Sequence, residues 1–205
     1  CTGTPRLQKP VHEPKNKILL APSWRENLVH LESGKWVVDS AFRSSKYYNG
    51  LMELMSSEMF IDFLDSNGLT CDLKLHPGFG NAKALFEVGN ERISVVDSAD
   101  PDDYLVLITD ISSFQFDFLY KNRPIIYYMR DREEFDCGSH SYNSLLYDLE
   151  NGFGDYCGSV DECIEALKRL SENEFLPLQQ YANKIKDEFI LQGEDHSRKL
   201  YEELY

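Results

Sequence analysis

Three short segments carry residue types suited to handling phosphate. The first is Ala21-Pro22-Ser23-Trp24-Arg25, which follows an apolar run. A guanidinium there can grip a phosphate through paired hydrogen bonds. The alternative is a surface arginine beside a packed tryptophan. The second is Lys74-Leu75-His76-Pro77. Pro77 holds His76 in extended backbone, so the ring position is defined. An imidazole so placed can donate to a phosphate or a leaving group, or move a proton near neutral pH. It can equally be an ordinary, partly buried histidine. The third is Thr109-Asp110-Ile111-Ser112-Ser113, where an apolar strand turns into a helix. Unpaired N–H groups, a helix dipole and two hydroxyls together make a diphosphate seat. Simple N-capping, which needs one serine, is the competing reading.

Other patterns point less clearly to chemistry. Gly78-Phe79-Gly80 fits neither a Walker loop nor a dinucleotide fingerprint. Glu133 and Glu134 can reach a ribose hydroxyl or form a solvated loop, and the loop is the preferred reading. His140 and Ser141 share no spacing signature. Asp97, Asp100, Asp102 and Asp103 lack the alternation and glycine of a calcium loop, so a solvated acidic turn is expected.

These segments are held by an alternation of strands and helices. Strands are expected at Lys17–Ala21, Leu69–Leu75, Arg92–Val96, Tyr104–Thr109 and Pro124–Met129. Helical spacing runs from Leu51 to Leu64 and stops at Asn67-Gly68. A short helix is expected over Ala82–Val88, and another runs from Ser112 or Ser113 to Lys121 with Asn122 at its end. Ser159-Val160-Asp161-Glu162 is a capping box that opens a helix through Leu170. Helices also start at Pro177 and near Asp195, so 174–205 is a C-terminal helical region. Residues 23–50 and 131–155 are polar and read as loops. The fold class is α/β, a Rossmann-like parallel sheet with helices on both faces, and such sheets bind ligands at the carboxyl ends of their strands.

The chain has 205 residues with 21 Lys and Arg against 35 Asp and Glu, a formal charge of −14. The length suits one lobe, 1–205. An acidic chain with no basic cluster is a poor nucleic-acid binder, though it can hold a local basic pocket for a small anion. No apolar run approaches the roughly 18 residues of a membrane span. Five cysteines without a C-x-x-C pair argue against a disulfide framework or a zinc site and for reduced thiols. The start lacks a signal peptide, and Cys1 in place of Met suggests a piece of a longer protein.

Taken in order, A-P-S-W-R (21–25), K-L-H-P (74–77), L-I-T-D-I-S-S-F-Q-F-D-F (107–118) and N-R-P-I-I-Y-Y (122–128) resemble the CDP-glycerol glycerophosphotransferase family of teichoic acid polymerases and primases. Thr2 to Arg6 is similar to the stretch by which such enzymes enter their second domain, and Gly193 to Arg198 is similar to their ending. The chain departs from the family pattern at Gln8, Ser23 and Ile111, in the short Asp97–Asp103 segment and over Asp136–Tyr156.

The resemblance implies the C-terminal, donor-binding lobe of a GT-B enzyme. It places Arg25 and His76 on the donor phosphates, with Thr109, Asp110, Ser112 and Ser113 lining the diphosphate seat. His76 would also stabilise the leaving group. An acceptor hydroxyl would attack the β-phosphorus of CDP-glycerol, or of CDP-ribitol or another CDP-polyol, and CMP would leave. The catalytic base would belong to the first lobe, so this lobe alone would bind donor without turning it over. No metal or cofactor is implied. The setting would be teichoic acid or capsular polymer synthesis at the cytoplasmic face of a bacterial membrane, with no membrane insertion by this lobe and no nucleic acid. The altered 97–103 and 136–156 regions leave a nucleotide-sugar GT-B lobe, or a non-enzymatic interaction domain, as alternatives.

Overall fold

The computed structural model describes residues 3–7, 12–138, 149–189 and 194–205. Cys1, Thr2, Gln8, His140, Ser141 and Gly193, on which parts of the sequence reading fall, lie outside the described residues.

The largest element is a six-stranded parallel sheet. Its strands are β1 (Lys17–Leu20), β4 (Thr70–Lys74), β5 (Ile93–Val96), β6 (Val106–Thr109), β7 (Ile125–Tyr128) and β8 (Asp155–Cys157). A separate antiparallel hairpin is formed by β2 (Val29–Glu32) and β3 (Lys35–Val38). The sheet order is β5-β4-β1-β6-β7-β8. Counted along the chain without the hairpin, that is the doubly wound order 3-2-1-4-5-6, whose direction reverses between β1 and β6.

Alternation along the strands divides the core. Ile18 and Leu20 of β1 pack to one side with Leu73, Ile108 and Ile126. Leu19 and Ala21 pack to the other with Leu107, Ile125 and Tyr127. All are buried, because helices cover both faces. Helices α1 (Lys46–Met55), α2 (Glu58–Ser66) and α5 (Val160–Glu172) supply the first side. Helices α3 (Gln115–Leu119) and α6 (Gln179–Glu188) supply the second. Short α4 (Arg132–Asp136) follows β7, and α7 (His196–Leu204) closes the chain. The expected capping box is formed in both halves, with the Ser159 hydroxyl accepting from the Glu162 N–H and the Glu162 carboxylate accepting from the Ser159 N–H. No helix of the described residues is long and apolar enough to cross a membrane.

Four expectations need correction. The 23–50 loop contains the β2–β3 hairpin, closed by Ser33 and Gly34 with φ of +49° and +79°, the two-residue turn that matches strand twist. The single helix at 51–64 is two helices that begin earlier and break at Ser56-Ser57. The Ser56 hydroxyl bonds back to the Met52 carbonyl, and Ser57 leaves helical backbone at ψ 126°. The short helix after His76 is a 3₁₀ segment over Pro77–Phe86. Residues 131–155 hold α4 and the start of an edge strand, β8, only three residues long.

Gly154 enters β8 with its backbone pressed on β7. A Cβ there would stand 2.0 Å from the Ile125 carbonyl oxygen. That atom is main chain and cannot swing away. Gly154→Ala is therefore expected to destabilise the fold by roughly 1–3 kcal/mol, the usual cost of overpacking. At about 2–4 °C per kcal/mol for a chain of this size, a thermal melt reads it directly. An unchanged melting temperature would show that β8 is not held against β7 in this way.

Candidate functional site

The carboxyl ends of β1, β4 and β6 surround a cavity of about 140 Å³. It lies where the sheet order reverses, the place where adjoining loops part and leave a crevice. His76 and Lys74 come from the end of β4, Pro22 from the turn after β1, and Ser112, Ser113 and Phe114 from the loop after β6. Arg6 reaches in from the N-terminal segment. Three cationic or proton-donating side chains thus meet in a chain of charge −14, and none of the lining residues is a carboxylate. Such a surface suits an anion with several acceptor oxygens.

Each of these side chains is placed by its neighbours. His76 caps the 77–86 segment, and its Nδ1 accepts a hydrogen bond from the Gly78 N–H at 3.1 Å. In the neutral ring Nε2 then carries the proton and is the donor. Trp24 lies flat against the imidazole, with centroids 5.3 Å apart and planes 17° apart. Lys74 extends over the Phe114 ring at 5.5 Å. The Arg6 guanidinium is held by both oxygens of Asp117 at 3.2 and 2.5 Å. The Ser112 hydroxyl accepts from the Phe114 N–H at 3.3 Å.

Behind the cavity wall is a buried ion cluster. Arg25 is 1% exposed, and its Nε and Nη2 donate to Asp131 at 2.5 and 3.0 Å. Its Nη1 donates to Asp110 at 2.8 Å and to the Ser23 hydroxyl at 3.1 Å. The rings of Tyr47 and Phe135 lie 4.8 and 5.5 Å from the guanidinium carbon. Burial opposes the charge on Arg25, yet Asp110 and Asp131 outweigh it and raise the pKa above the ordinary arginine range. Asp110 also accepts from the Ser23 N–H, the Ser23 hydroxyl and the Ser112 N–H, at 2.8, 2.9 and 3.2 Å. The Thr109 hydroxyl donates to the Ala21 carbonyl at 2.8 Å.

The six residues singled out in the sequence thus divide. His76, Ser112 and Ser113 line the cavity. Arg25, Thr109 and Asp110 stand behind it, and the Arg25 donors are spent on protein groups. The helix after the serines is only five residues long, starting at Gln115, so hydroxyls and nearby side chains matter here more than a macrodipole. Lys74 and Arg6, to which the sequence motifs assign no role, line the cavity as well. Strand alternation was the available signal for Lys74, since positions i and i+2 share a face and Lys74 precedes His76 by two.

A family model described as CDP-Glycerol:Poly(glycerophosphate) glycerophosphotransferase matches residues 5–203. The chain belongs to this family. Among curated proteins it is similar to the minor teichoic acid biosynthesis protein GgaB of Bacillus subtilis (strain 168), at 23% identity over 198 residues, covering 92% of this chain and 21% of that protein. Among solved structures it shares its fold with the wall teichoic acid polymerase TagF, at a TM-score of 0.58 and 20% identity, covering 95% of this chain and 43% of that one. A variant of the polymerase soaked with CDPG for 15 minutes matches at a TM-score of 0.54 and 19% identity, over 93% of this chain and 41% of that one. The chain therefore spans about a fifth of the curated relative and under half of the solved polymerase. The α/β sheet expected of one GT-B lobe is the fold found.

Two outcomes follow for this family member. Arg25→Ala leaves Asp110 and Asp131 buried without their cation, so a loss of about 3–5 kcal/mol is expected in urea unfolding. A loss under 1 kcal/mol would mean that the cluster is solvated. The second concerns pH. Burial, with the charge of Lys74 adding to it, lowers the His76 pKa from its ordinary value of 6.5. As pH falls through that ordinary value the unfolded chain takes up a proton first. The contribution of His76 to stability therefore declines from there down to the folded midpoint and is constant below it. Proton NMR titration is expected to give a midpoint below 6.5, moving upward in Lys74→Gln. A wild-type midpoint at or above 6.5 would contradict the placement of the ring.

Proposed function

We propose that this chain is the donor-binding lobe of a transferase that moves glycerol phosphate from CDP-glycerol, or a related CDP-polyol, to an acceptor hydroxyl. The observation that carries this is the cavity at the reversal point of the sheet, where Arg6, Lys74, His76, Ser112 and Ser113 meet with no carboxylate among the lining residues. Membership of the glycerophosphotransferase family supports it, as do the teichoic acid names of GgaB and TagF and the CDPG in one polymerase structure. The reaction belongs to the synthesis of teichoic acid or a capsular polymer, at the cytoplasmic face of a bacterial membrane.

In this reading the acceptor oxygen forms a bond to the β-phosphorus, and the bond from that phosphorus to the bridging oxygen breaks. The acceptor proton passes to a base outside this lobe, and CMP departs with the electron pair. Charge grows on the bridging oxygen and the α-phosphate as it leaves. The Nε2–H of His76 and the Lys74 ammonium are the groups to stabilise it, through donors already in place before the reaction. Ser112 and Ser113 add hydroxyl donors to the other oxygens. Arg25, Thr109 and Asp110 keep the frame.

Titration calorimetry of the purified chain with CDP-glycerol, CMP and a UDP-sugar tests this. Selective binding of CDP-glycerol is expected. His76→Ala and Lys74→Ala should each weaken it by roughly 10- to 100-fold, the worth of a hydrogen bond to a charged group. Ser112→Ala should weaken it less. The chain alone should transfer no glycerol phosphate. Preference for the UDP-sugar would move the chain to the sugar transferases, and no affinity for any of the three by the folded chain would defeat the reading.

A further inference from the structure

The imidazole of His76 is held by more than its own strand. On one face it meets Trp24, and Trp24 in turn receives the edge of Trp36, with centroids 5.2 Å apart and planes at 77°. Trp36 belongs to β3 of the hairpin and is 42% exposed. It is not among the residues lining the cavity. The same strand packs against the 77–86 segment that His76 caps. The hairpin is anchored below by Val29, which is buried, and by the Asp39 N–H donating to the Leu28 carbonyl at 2.9 Å. At the edge of the ring the Gly78 N–H fixes Nδ1. A Cβ on Gly78 would lie 3.1 Å from Trp24 and 3.3 Å from Nδ1, so the turn passes close against both stacked rings.

We propose that Trp24 and Trp36 are positioning residues, through which the hairpin holds the His76 ring flat and in its Nε2–H form toward the donor phosphates. The proposal rests on the reading that the cavity takes the diphosphate. Its chemical content is separate, because it concerns the state of one ring before any ligand arrives. An imidazole free to turn about its side-chain torsions offers Nδ1–H, Nε2–H or a carbon edge in turn. A ring stacked on an indole face and held at its Nδ1 edge by a backbone amide offers one donor in one direction. Offset stacking of the two rings adds attraction beyond area, on the order of 0.5–1.5 kcal/mol for an aromatic pair. The charged groups sharing the cavity with the ring are Lys74 on its own strand and Arg6 on the N-terminal segment, so no carboxylate of the cavity wall competes for the Nε2 proton.

The test reads the ring first and the ligand second. Long-range nitrogen–proton NMR of the ligand-free chain is expected to show the Nε2–H tautomer of His76. In Trp36→Ala it should show a mixture of tautomers and a titration midpoint moved up toward that of a free histidine. Trp36→Phe should restore the single tautomer, and the remaining resonances should report an intact fold in both. CDP-glycerol affinity should fall roughly three- to tenfold in Trp36→Ala, the share of one neutral hydrogen bond, and recover in Trp36→Phe. Should Trp36→Ala unfold the chain, Trp24→Phe, which keeps a ring on the imidazole face but loses the Trp36 edge contact, carries the same comparison. An unchanged tautomer and midpoint in the folded variant would overturn the proposal. A shifted ring state in a chain whose wild type binds no CDP-glycerol would instead sink the donor reading and leave the positioning role standing.

Discussion

One guanidinium joins the loops on which the candidate site stands. Arg25 follows β1, Asp110 follows β6 and Asp131 follows β7, so a single side chain ties together the carboxyl ends of three strands. Burying one cation with two anions is not a cheap source of stability, because desolvation consumes most of the attraction. What the cluster provides is geometry. Both Asp110 oxygens take two donors each, one from Arg25 and the rest from the Ser23 and Ser112 segments. With Asp110 fixed, the turn after β1 and the turn after β6 keep a constant separation. The cavity is the space between them. An apolar trio of the same volume would fill the interior as well, but would leave the Ser23 and Ser112 N–H groups without that acceptor and the cavity without a set width.

Charge at the cavity is a local arrangement set against the whole. A chain of net charge −14 repels anions at long range. The cations are therefore gathered where a ligand would sit, with no acidic residue in the lining of the cavity. Asp117 grips Arg6 from outside the cavity, and Phe114 lies beneath the Lys74 ammonium. The recess itself is lined by Arg6, Lys74, His76 and two serines and by no carboxylate. Long-range steering matters little for a small ligand at physiological salt, where the screening length is about 8 Å. Recognition then rests on contact with the recess itself.

Much of this was legible in the sequence, and the limits of legibility have physical causes. Buried parallel strands read as continuous apolar runs, so β1, β6 and β7 stood out, and the Ser159–Glu162 box announced α5. The hairpin was hidden because Trp36 and Leu31 face outward in part and blur the alternation; its signal was the Ser33-Gly34 pair. Strand β8 was hidden because three residues on a sheet edge carry almost no pattern. Arg25 shows a different limit. A guanidinium grips phosphate and carboxylate with the same fork, and its partners here lie 85 and 106 residues away. The residue type told what it could hold, and only the fold told what it does hold.

The size of the recess bears on how a donor would be bound. Sites that enclose a drug-sized ligand run to roughly 300–1,000 Å³. The recess measures about 140 Å³. Its lining of Arg6, Lys74, His76, Ser112 and Ser113 suits the phosphate groups of a donor. Under the proposed function the recess grips the diphosphate of the donor, and the nucleoside and polyol lie on surfaces outside it. That division suits transfer. In that reading the groups that would stabilise the departing phosphate sit on the clamped strand ends, and the acceptor would approach from the open side. A recess built this way selects for the diphosphate, so the preference for CDP-glycerol over a UDP-sugar expected of this chain rests on surfaces of the lobe beyond the recess.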